Sequence, residues 1–163
     1  MKRLLATALA ALLSTGTARG AEITPAVVFD MGGKFDKSFN EGVRDGVEAF
    51  TKATGITIRE FEPQNDTQRE QALRNFARRG QSPIIAVGFN QASAVKTVAF
   101  EFPGLRFVII DSVVEAPNVQ SILFREEQGS YLAGMLAGLR SATGKVGFIG
   151  GMDVPLIRKF ACG

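Results

Sequence analysis

Histidine is absent from this chain of 163 residues, and cysteine occurs once, as Cys162. Without histidine, the chain cannot form a Ser-His-Asp or Cys-His catalytic centre, and most zinc sites lose their commonest ligand. A single cysteine cannot form an internal disulfide, although an oxidising compartment would permit disulfides. The composition therefore excludes histidine-based hydrolases and most zinc enzymes.

Long apolar runs are also scarce, and the one near the start is too short to span a bilayer comfortably. Lys2 and Arg3 precede the run LLATALAALL, and small residues follow it. This pattern is typical of a secretory signal peptide, here over residues 1–20, with Ala18 and Gly20 before the cleavage point. The alternative is a membrane-anchoring N-terminus. Because no cysteine lies at the cleavage point, we expect a free periplasmic protein rather than a lipid-anchored one.

The positive charge of the chain is concentrated in this predicted signal. The whole chain has 19 basic and 16 acidic residues. Lys2, Arg3 and Arg19 would leave with the signal, so the two signs balance in the remainder. The excess charge is therefore no argument for an anionic membrane surface, and we expect no nucleic-acid partner.

Strand and helix patterns alternate along the rest of the chain. Continuous apolar strands joined by helices predict an α/β fold with a parallel sheet covered on both faces. The predicted strands span residues 24–30, 56–62 (an edge strand), 83–89, 105–111, 118–124 and 145–151. The predicted helices span 38–54, 65–80, 90–102 and 126–144, and a further one opens near Pro155. The periodicity of the fourth helix places four side chains inside: Leu132, Met135, Leu136 and Leu139.

Polar and aromatic residues gather where three predicted strands end. Asp30 ends the first strand, Gly88 and Phe89 end the third, and Asp111 ends the fourth. In such sheets, ligands bind beyond the carboxyl ends of the strands, at a topological switch point. The two carboxylates could accept hydrogen bonds from a ligand, coordinate a cation or perform acid–base chemistry, or they could only cap the loops that follow.

The block DKSFN, residues 36–40, opens the first predicted helix. Ser38 followed by Glu41 has the spacing of a capping box, which predicts that the helix starts at Ser38. Phe39 and Asn40 then lie in the first turn, where free backbone N–H groups face the cleft. A phenyl ring there could stack on a flat ligand, and an amide could donate and accept hydrogen bonds. The alternative is an ordinary capped helix with Phe39 as its hydrophobic anchor.

Five stretches of the chain carry a family resemblance: FDMGGKFDKSFNEGVRDG, VGFNQASAV, FVIID, EEQGSYLAGMLAG and KVGFIGGMDVPLIRKFACG. Together they resemble the basic membrane protein family of ABC-transporter substrate-binding proteins, whose best-known members are PnrA-like purine nucleoside receptors. The resemblance runs from about Thr24 to the last residue. The DKSFN block and the glycine pair at 150–151 are specific in combination.

The resemblance implies a type I periplasmic-binding fold, in which two α/β lobes joined by crossovers close on a ligand. It implies an N-terminal lobe over residues 21–144, then the first crossover strand and the start of a truncated second lobe over 145–163. The chain would then be the front part of a longer protein.

The resemblance also implies roles for particular residues in a nucleoside site. Phe39 would stack on the base and Asn40 would hydrogen-bond to it, with Ser38 beside them at the helix start. The remaining positions are two carboxylates for polar ligand atoms and two wall residues. These are Asp30 and Asp111, and Gly88 and Phe89.

We therefore expect a periplasmic receptor that binds a purine nucleoside-like ligand between two lobes and delivers it to an inner-membrane ABC permease. It would act as a monomer, with no catalytic residue, cofactor or metal. One alternative is a simple-sugar receptor of the same fold. Another is an exported flavodoxin-like enzyme that acts through Asp30 and Asp111.

Overall fold

Five strands form one parallel sheet in the computed structural model, which describes residues 23–163. They are β1 (Ala26–Val28), β2 (Arg59–Phe61), β3 (Ile84–Val87), β4 (Phe107–Ile110) and β5 (Val119–Ile122). Their order is β2-β1-β3-β4-β5, and each neighbouring pair is parallel. This confirms the predicted parallel sheet, five of its strands and the edge position of β2. The predicted signal peptide lies outside the described residues.

Helices follow the strands, and the first three of them cover the two faces of the sheet. They are α1 (Phe39–Thr54), α2 (Asp66–Arg78), α3 (Ala92–Glu101), α4 (Glu126–Arg140) and α5 (Pro155–Cys162). A short 3₁₀ turn, Phe89–Gln91, precedes α3. The end of α1 at Gly55 follows from local conformation, because Gly55 adopts the left-handed region at φ 73° that glycine tolerates without strain.

Two buried clusters, one on each face, hold the sheet and its helices together. Alternation along β1 sends Val27 to one face and Val28 to the other, because successive strand side chains point in opposite directions. Helices α2 and α3 pack on the face of Val28, whereas α1 packs through Val47 on the face of Val27. Fully burying one such aliphatic side chain stabilises the fold by roughly 1.5–3 kcal/mol. The core therefore fixes the strand ends that carry the candidate site.

The sixth strand predicted over residues 145–151 is not formed. These residues pair with no strand of the sheet, and Ile149 is 98% exposed. The apolar run KVGFIGG has a strand-like composition, but a strand is completed only by hydrogen bonds to a neighbour. Among the described residues, β5 remains the edge of the sheet on this side.

The prediction that the apolar stripe of α4 lies inside is also wrong. Its four leucine and methionine side chains are between 48% and 81% exposed. Periodicity identifies an apolar stripe but not the element that covers it. In the structure, α4 packs mainly on α5 rather than on the sheet.

The division into a lobe over 21–144 and a second lobe from residue 145 stays a prediction. Among residues 23–163, no helix is long and apolar enough to cross a bilayer.

Candidate ligand site

Three residues form one row across the carboxyl edge of the sheet. Parallel pairing aligns Val28 of β1 with Ala86 of β3, and Ala86 with Ile109 of β4. Continuing this register by two residues brings the loops after the three strands side by side. The row consists of Asp30, Gly88 and Asp111. Since strands lie about 4.8 Å apart, the two acidic positions are separated by about 10 Å. The strand order reverses between β1 and β3, so the row lies at the switch point.

Asp30 is held by donors on one of its two carboxylate oxygens. Its Oδ1 accepts a hydrogen bond of 2.8 Å from the backbone N–H of Met31 and one of 3.0 Å from Nη2 of Arg69. Of the described residues, none donates to Oδ2. The side chain of Asp30 is 21% exposed, and its second carboxylate oxygen is left without a protein donor.

Glycine is the only residue type that fits at position 88, between the two carboxylates, without backbone strain. Its φ is 96°, in the region that glycine favours. A Cβ atom added there would lie 2.7 Å from Oδ2 of Asp30 and 2.9 Å from its Cγ. The missing side chain therefore lets the end of β3 approach Asp30 closely.

Asp111 has a carboxylate oxygen without a protein donor. It adopts φ 65°, a left-handed conformation that aspartate tolerates better than most residues. Its Oδ1 is buried, and no described residue donates to it. Burial raises the pKa of Asp111, nearby Glu126 raises it further, and Lys159 opposes the shift. An N–H or O–H group of a ligand would satisfy this buried acceptor.

A groove of about 470 Å³ opens beside Asp111. Its walls come from the ends of β3, β4 and β5 and from α5, and they include Phe89, Leu123, Leu156 and Lys159. The groove is thus mainly apolar with a few polar groups, as small-molecule sites usually are. Two of the predicted site residues, Phe89 and Asp111, line it.

Phe39 lies at the start of α1, partly buried against the cluster that contains Val27 and Val87. Its ring is not sunk in the core, and part of it remains exposed. Phe39 therefore lies at the same end of the sheet as Asp30, because α1 begins directly after the loop that follows β1.

The structure corrects the role expected for Asn40. Its side chain is 1% exposed, its Oδ1 accepts from the backbone N–H of Asp30 at 3.0 Å, and its Nδ2 donates to the backbone carbonyl of Asp30 at 3.2 Å. Both polar ends of the amide are thus used to tie α1 to the end of β1. Asn40 positions Asp30 rather than offering its amide to the cleft.

The predicted capping box at Ser38 is wrong as well. Ser38 does precede α1, but its side chain makes no capping hydrogen bond. Asp36 caps the helix instead, since its carboxylate accepts from the backbone N–H groups of Ser38, Asn40 and Glu41 at 2.9–3.1 Å. Desolvation raises the pKa of Asp36, but these three hydrogen bonds outweigh it and leave the pKa below its usual value.

Comparison with known proteins identifies the family. Residues 23–163 match the Bmp family, described as ABC transporter substrate-binding protein PnrA-like. The chain belongs to this family. The match confirms the resemblance found in the sequence.

Individual relatives of this Bmp family member agree with the assignment. The ABC transporter nucleoside-binding protein BmpA of Lactococcus lactis is 31% identical over 87% of this chain and 42% of its own length. The CD4+ T-cell-stimulating antigen of Listeria innocua is 30% identical over 99% of this chain and 52% of its own. The chain therefore spans about half the length of these relatives.

A solved structure supports the fold. An ABC transporter solute-binding protein from Aeropyrum pernix K1 superposes with a TM-score of 0.75 at 31% identity, covering 85% of this chain and 40% of that protein. The α/β fold of periplasmic solute-binding proteins is thereby confirmed for this Bmp family member, and its family is a class of transport receptors rather than enzymes.

Sequence reasoning missed Gln91 in this Bmp family member. It is fully buried, and its Nε2 donates to the backbone carbonyls of Val28, Phe29 and Val87 at 2.8–3.1 Å. The amide therefore joins the carboxyl ends of β1 and β3 at the switch point. Nothing in the local pattern distinguishes it from an exposed helix-start glutamine.

Arg69 was missed too, although the sequence contains a signal for it. Arg69 lies on the same helical stripe as Ala72, Leu73 and Phe76, which is the buried face of α2. Only 7% of Arg69 is exposed. A charged residue on an apolar stripe predicts a buried ion-pair partner, and that partner is Asp30.

Replacing Asp36 by alanine should lower the stability of the protein, whereas replacing Ser38 by alanine should leave it nearly unchanged. Asp36→Ala removes the acceptor for three helix-start N–H groups, and Ser38→Ala removes no capping bond. We expect the midpoint of thermal unfolding, followed by circular dichroism, to fall by a few degrees in Asp36→Ala only. Equal losses in the two variants would contradict the observed cap.

Proposed function

We propose that this protein is the solute receptor of an ABC importer and that it binds a purine nucleoside-like ligand at the carboxyl edge of the sheet. The observation that carries this proposal is the pair of carboxylate oxygens on Asp30 and Asp111 that have no donor among the described residues, on either side of Gly88, which has no side chain. The name of the Lactococcus lactis relative, a nucleoside-binding protein, supports the ligand class.

The chemistry of the edge suits a neutral ligand with several donors and a flat ring. Two carboxylates accept N–H and O–H groups, which the base and the ribose of a nucleoside both carry. The partly exposed ring of Phe39 and the groove residue Phe89 offer surfaces on which a base can stack. A phosphorylated ligand would bring negative charge close to both acids, so we expect nucleosides to bind better than nucleotides.

Closure of two lobes would convert binding into a transport signal. A ligand that contacts both lobes favours the closed state in proportion to its extra contacts there. The row of Asp30, Gly88 and Asp111 would supply the contacts of the first lobe. The partner would be an inner-membrane ABC permease that recognises the closed form, and the receptor would act in the periplasm after export as a monomer.

Titration calorimetry on the full-length protein tests the ligand class. We expect guanosine or adenosine to bind and ribose to bind far more weakly, since ribose lacks the base. Asp111→Asn should weaken nucleoside binding by about tenfold or more, because a charged acceptor is lost. Asp45→Asn, on the exposed side of α1, is the matched control and should bind as the wild type does. Tight ribose binding with no nucleoside heat would replace the proposal by the sugar-receptor alternative.

A further inference from the structure

Arg69 forms an ion pair at the switch point although it lies on the apolar face of α2. Its Nη2 donates to Oδ1 of Asp30 at 3.0 Å, and its Nη1 donates to Oδ1 of Asp66 at 2.6 Å. The side chain of Arg69 is 8% exposed, whereas that of Asp66 is 86% exposed. The guanidinium thus runs from the surface of α2 to the carboxylate that ends β1.

Stability alone does not account for an arginine in this place. The free energy needed to desolvate a buried ion pair is about as large as the free energy gained from its attraction. Replacing such pairs by apolar residues is often neutral or stabilising. Nε of Arg69 is also buried, and no described residue accepts from it. The neighbours of Arg69 on the stripe, Ala72 and Leu73, show that this face of the helix packs well with apolar side chains.

We propose that Arg69 is a positioning residue, which fixes the carboxylate of Asp30 so that Oδ1 is occupied and Oδ2 stays free as the acceptor for the ligand. The assignment of a ligand to Oδ2 rests on the proposed function. The orientation of the carboxylate does not, because it follows from the contacts of Asp30 with protein atoms.

Two neighbours of Asp30 complete this arrangement. The backbone N–H of Met31 donates to the same Oδ1 at 2.8 Å, so Oδ1 already has two donors. On the other side, the lack of a side chain at Gly88 keeps a methyl group away from Oδ2, since any Cβ there would lie 2.7 Å from that oxygen. The ligand group that reaches this oxygen must therefore be an N–H or O–H donor rather than a second acceptor.

The test compares Arg69→Met, Arg69→Lys and Asp66→Asn with Arg74→Met as the matched control. Arg74 lies on the same helix and pairs with Glu70 and Glu101, away from Asp30. Two readouts are taken from each purified full-length protein. One is the NMR chemical shift of the backbone amides of Met31 and Gly88 in the protein without ligand. The other is the affinity for guanosine, measured by titration calorimetry.

We expect Arg69→Met to displace the Met31 and Gly88 resonances and to weaken guanosine binding about ten- to a hundredfold, as the loss of a charge-assisted hydrogen bond predicts. Arg69→Lys keeps the charge and should recover part of the affinity. Asp66→Asn changes only an exposed anchor, so it should fold even if Arg69→Met does not, and it should move the same resonances less. Arg74→Met should change neither readout.

Other outcomes distinguish the positioning role of Arg69 from the proposed function as a nucleoside receptor. Unchanged Met31 and Gly88 resonances in the Arg69 and Asp66 variants would overturn the positioning role. Displaced resonances with unchanged guanosine affinity would also overturn it, because Asp30 would then not be a ligand contact. Displaced resonances in a protein that binds no nucleoside would support the orientation of Asp30 by Arg69 and would overturn the proposed function alone.

Discussion

Gly88→Ala should destabilise the protein by about 2–4 kcal/mol and weaken ligand binding at least about tenfold. Gly88 has φ 96° and ψ 146°, a conformation that is almost confined to glycine and costs an alanine about 1–3 kcal/mol. The new methyl group would also lie 2.7 Å from Oδ2 of Asp30, so the carboxylate must move and its ion pair with Arg69 is strained or lost. Urea unfolding and calorimetric titration measure the two losses.

Gly46→Ala provides the matched control with the opposite sign. Gly46 lies inside α1, and a Cβ there would meet no atom within 4 Å. The substitution should stabilise the protein by about 0.5–1 kcal/mol, because alanine loses less backbone freedom in a helix. If Gly88→Ala behaved as Gly46→Ala does, the close approach of Gly88 to Asp30 would not matter to the fold.

Gln91→Met should destabilise the protein by about 1–3 kcal/mol, although the side chain keeps its length. The amide of Gln91 donates to three backbone carbonyls at the ends of β1 and β3. Methionine has no donor, so these buried carbonyls lose a partner. The free energy of unfolding from urea titration measures the effect.

Two further variants show whether the donor or the shape of Gln91 matters. Gln91→Glu has nearly the same shape, but it places a buried carboxylate against carbonyl oxygens, so it should be more damaging than Gln91→Met at neutral pH. Gln120→Met, on the exposed side of β5, should change stability by less than about 0.5 kcal/mol. A Gln91→Met protein as stable as the Gln120→Met protein would refute the bridging role.

The sheet and the position of the site could be predicted because both depend on regular patterns. Apolar runs identified the five strands, and the rule for parallel sheets placed Asp30, Gly88 and Asp111 at one edge. The structure brings these three residues into one row. Their spacing in the chain is irregular, but the register of parallel strands aligns them.

The direction in which a polar side chain points could not be predicted in the same way. Asn40 and Ser38 both lie at a helix start, where several donors and acceptors compete over short distances. Asp36 satisfies the N–H groups that Ser38 was expected to cap, and Asn40 turns inward to the backbone of Asp30. A difference of one or two residues along the chain decides such contacts, and composition does not encode it.

The sequence pattern also could not show which element packs on the apolar face of a helix. Leu132 and Leu136 have the spacing of a buried helix face, yet both are exposed on α4. Arg69, by contrast, lies on an apolar stripe that is covered. Periodicity describes one helix, whereas burial depends on a second element that the pattern does not contain.

The interior position of β1 in the sheet affects the order in which the protein can fold. The first strand to emerge from synthesis pairs on one side with β2 and on the other with β3, both of which come later in the chain. Because all strand pairs in the described sheet are parallel, none of them is a hairpin that could form early. The sheet depends on distant contacts, and topologies with high contact order fold slowly. The edge strand β2 therefore has no partner until β1 is in place, and β1 is buried on both sides only after the chain up to Val87 has been made.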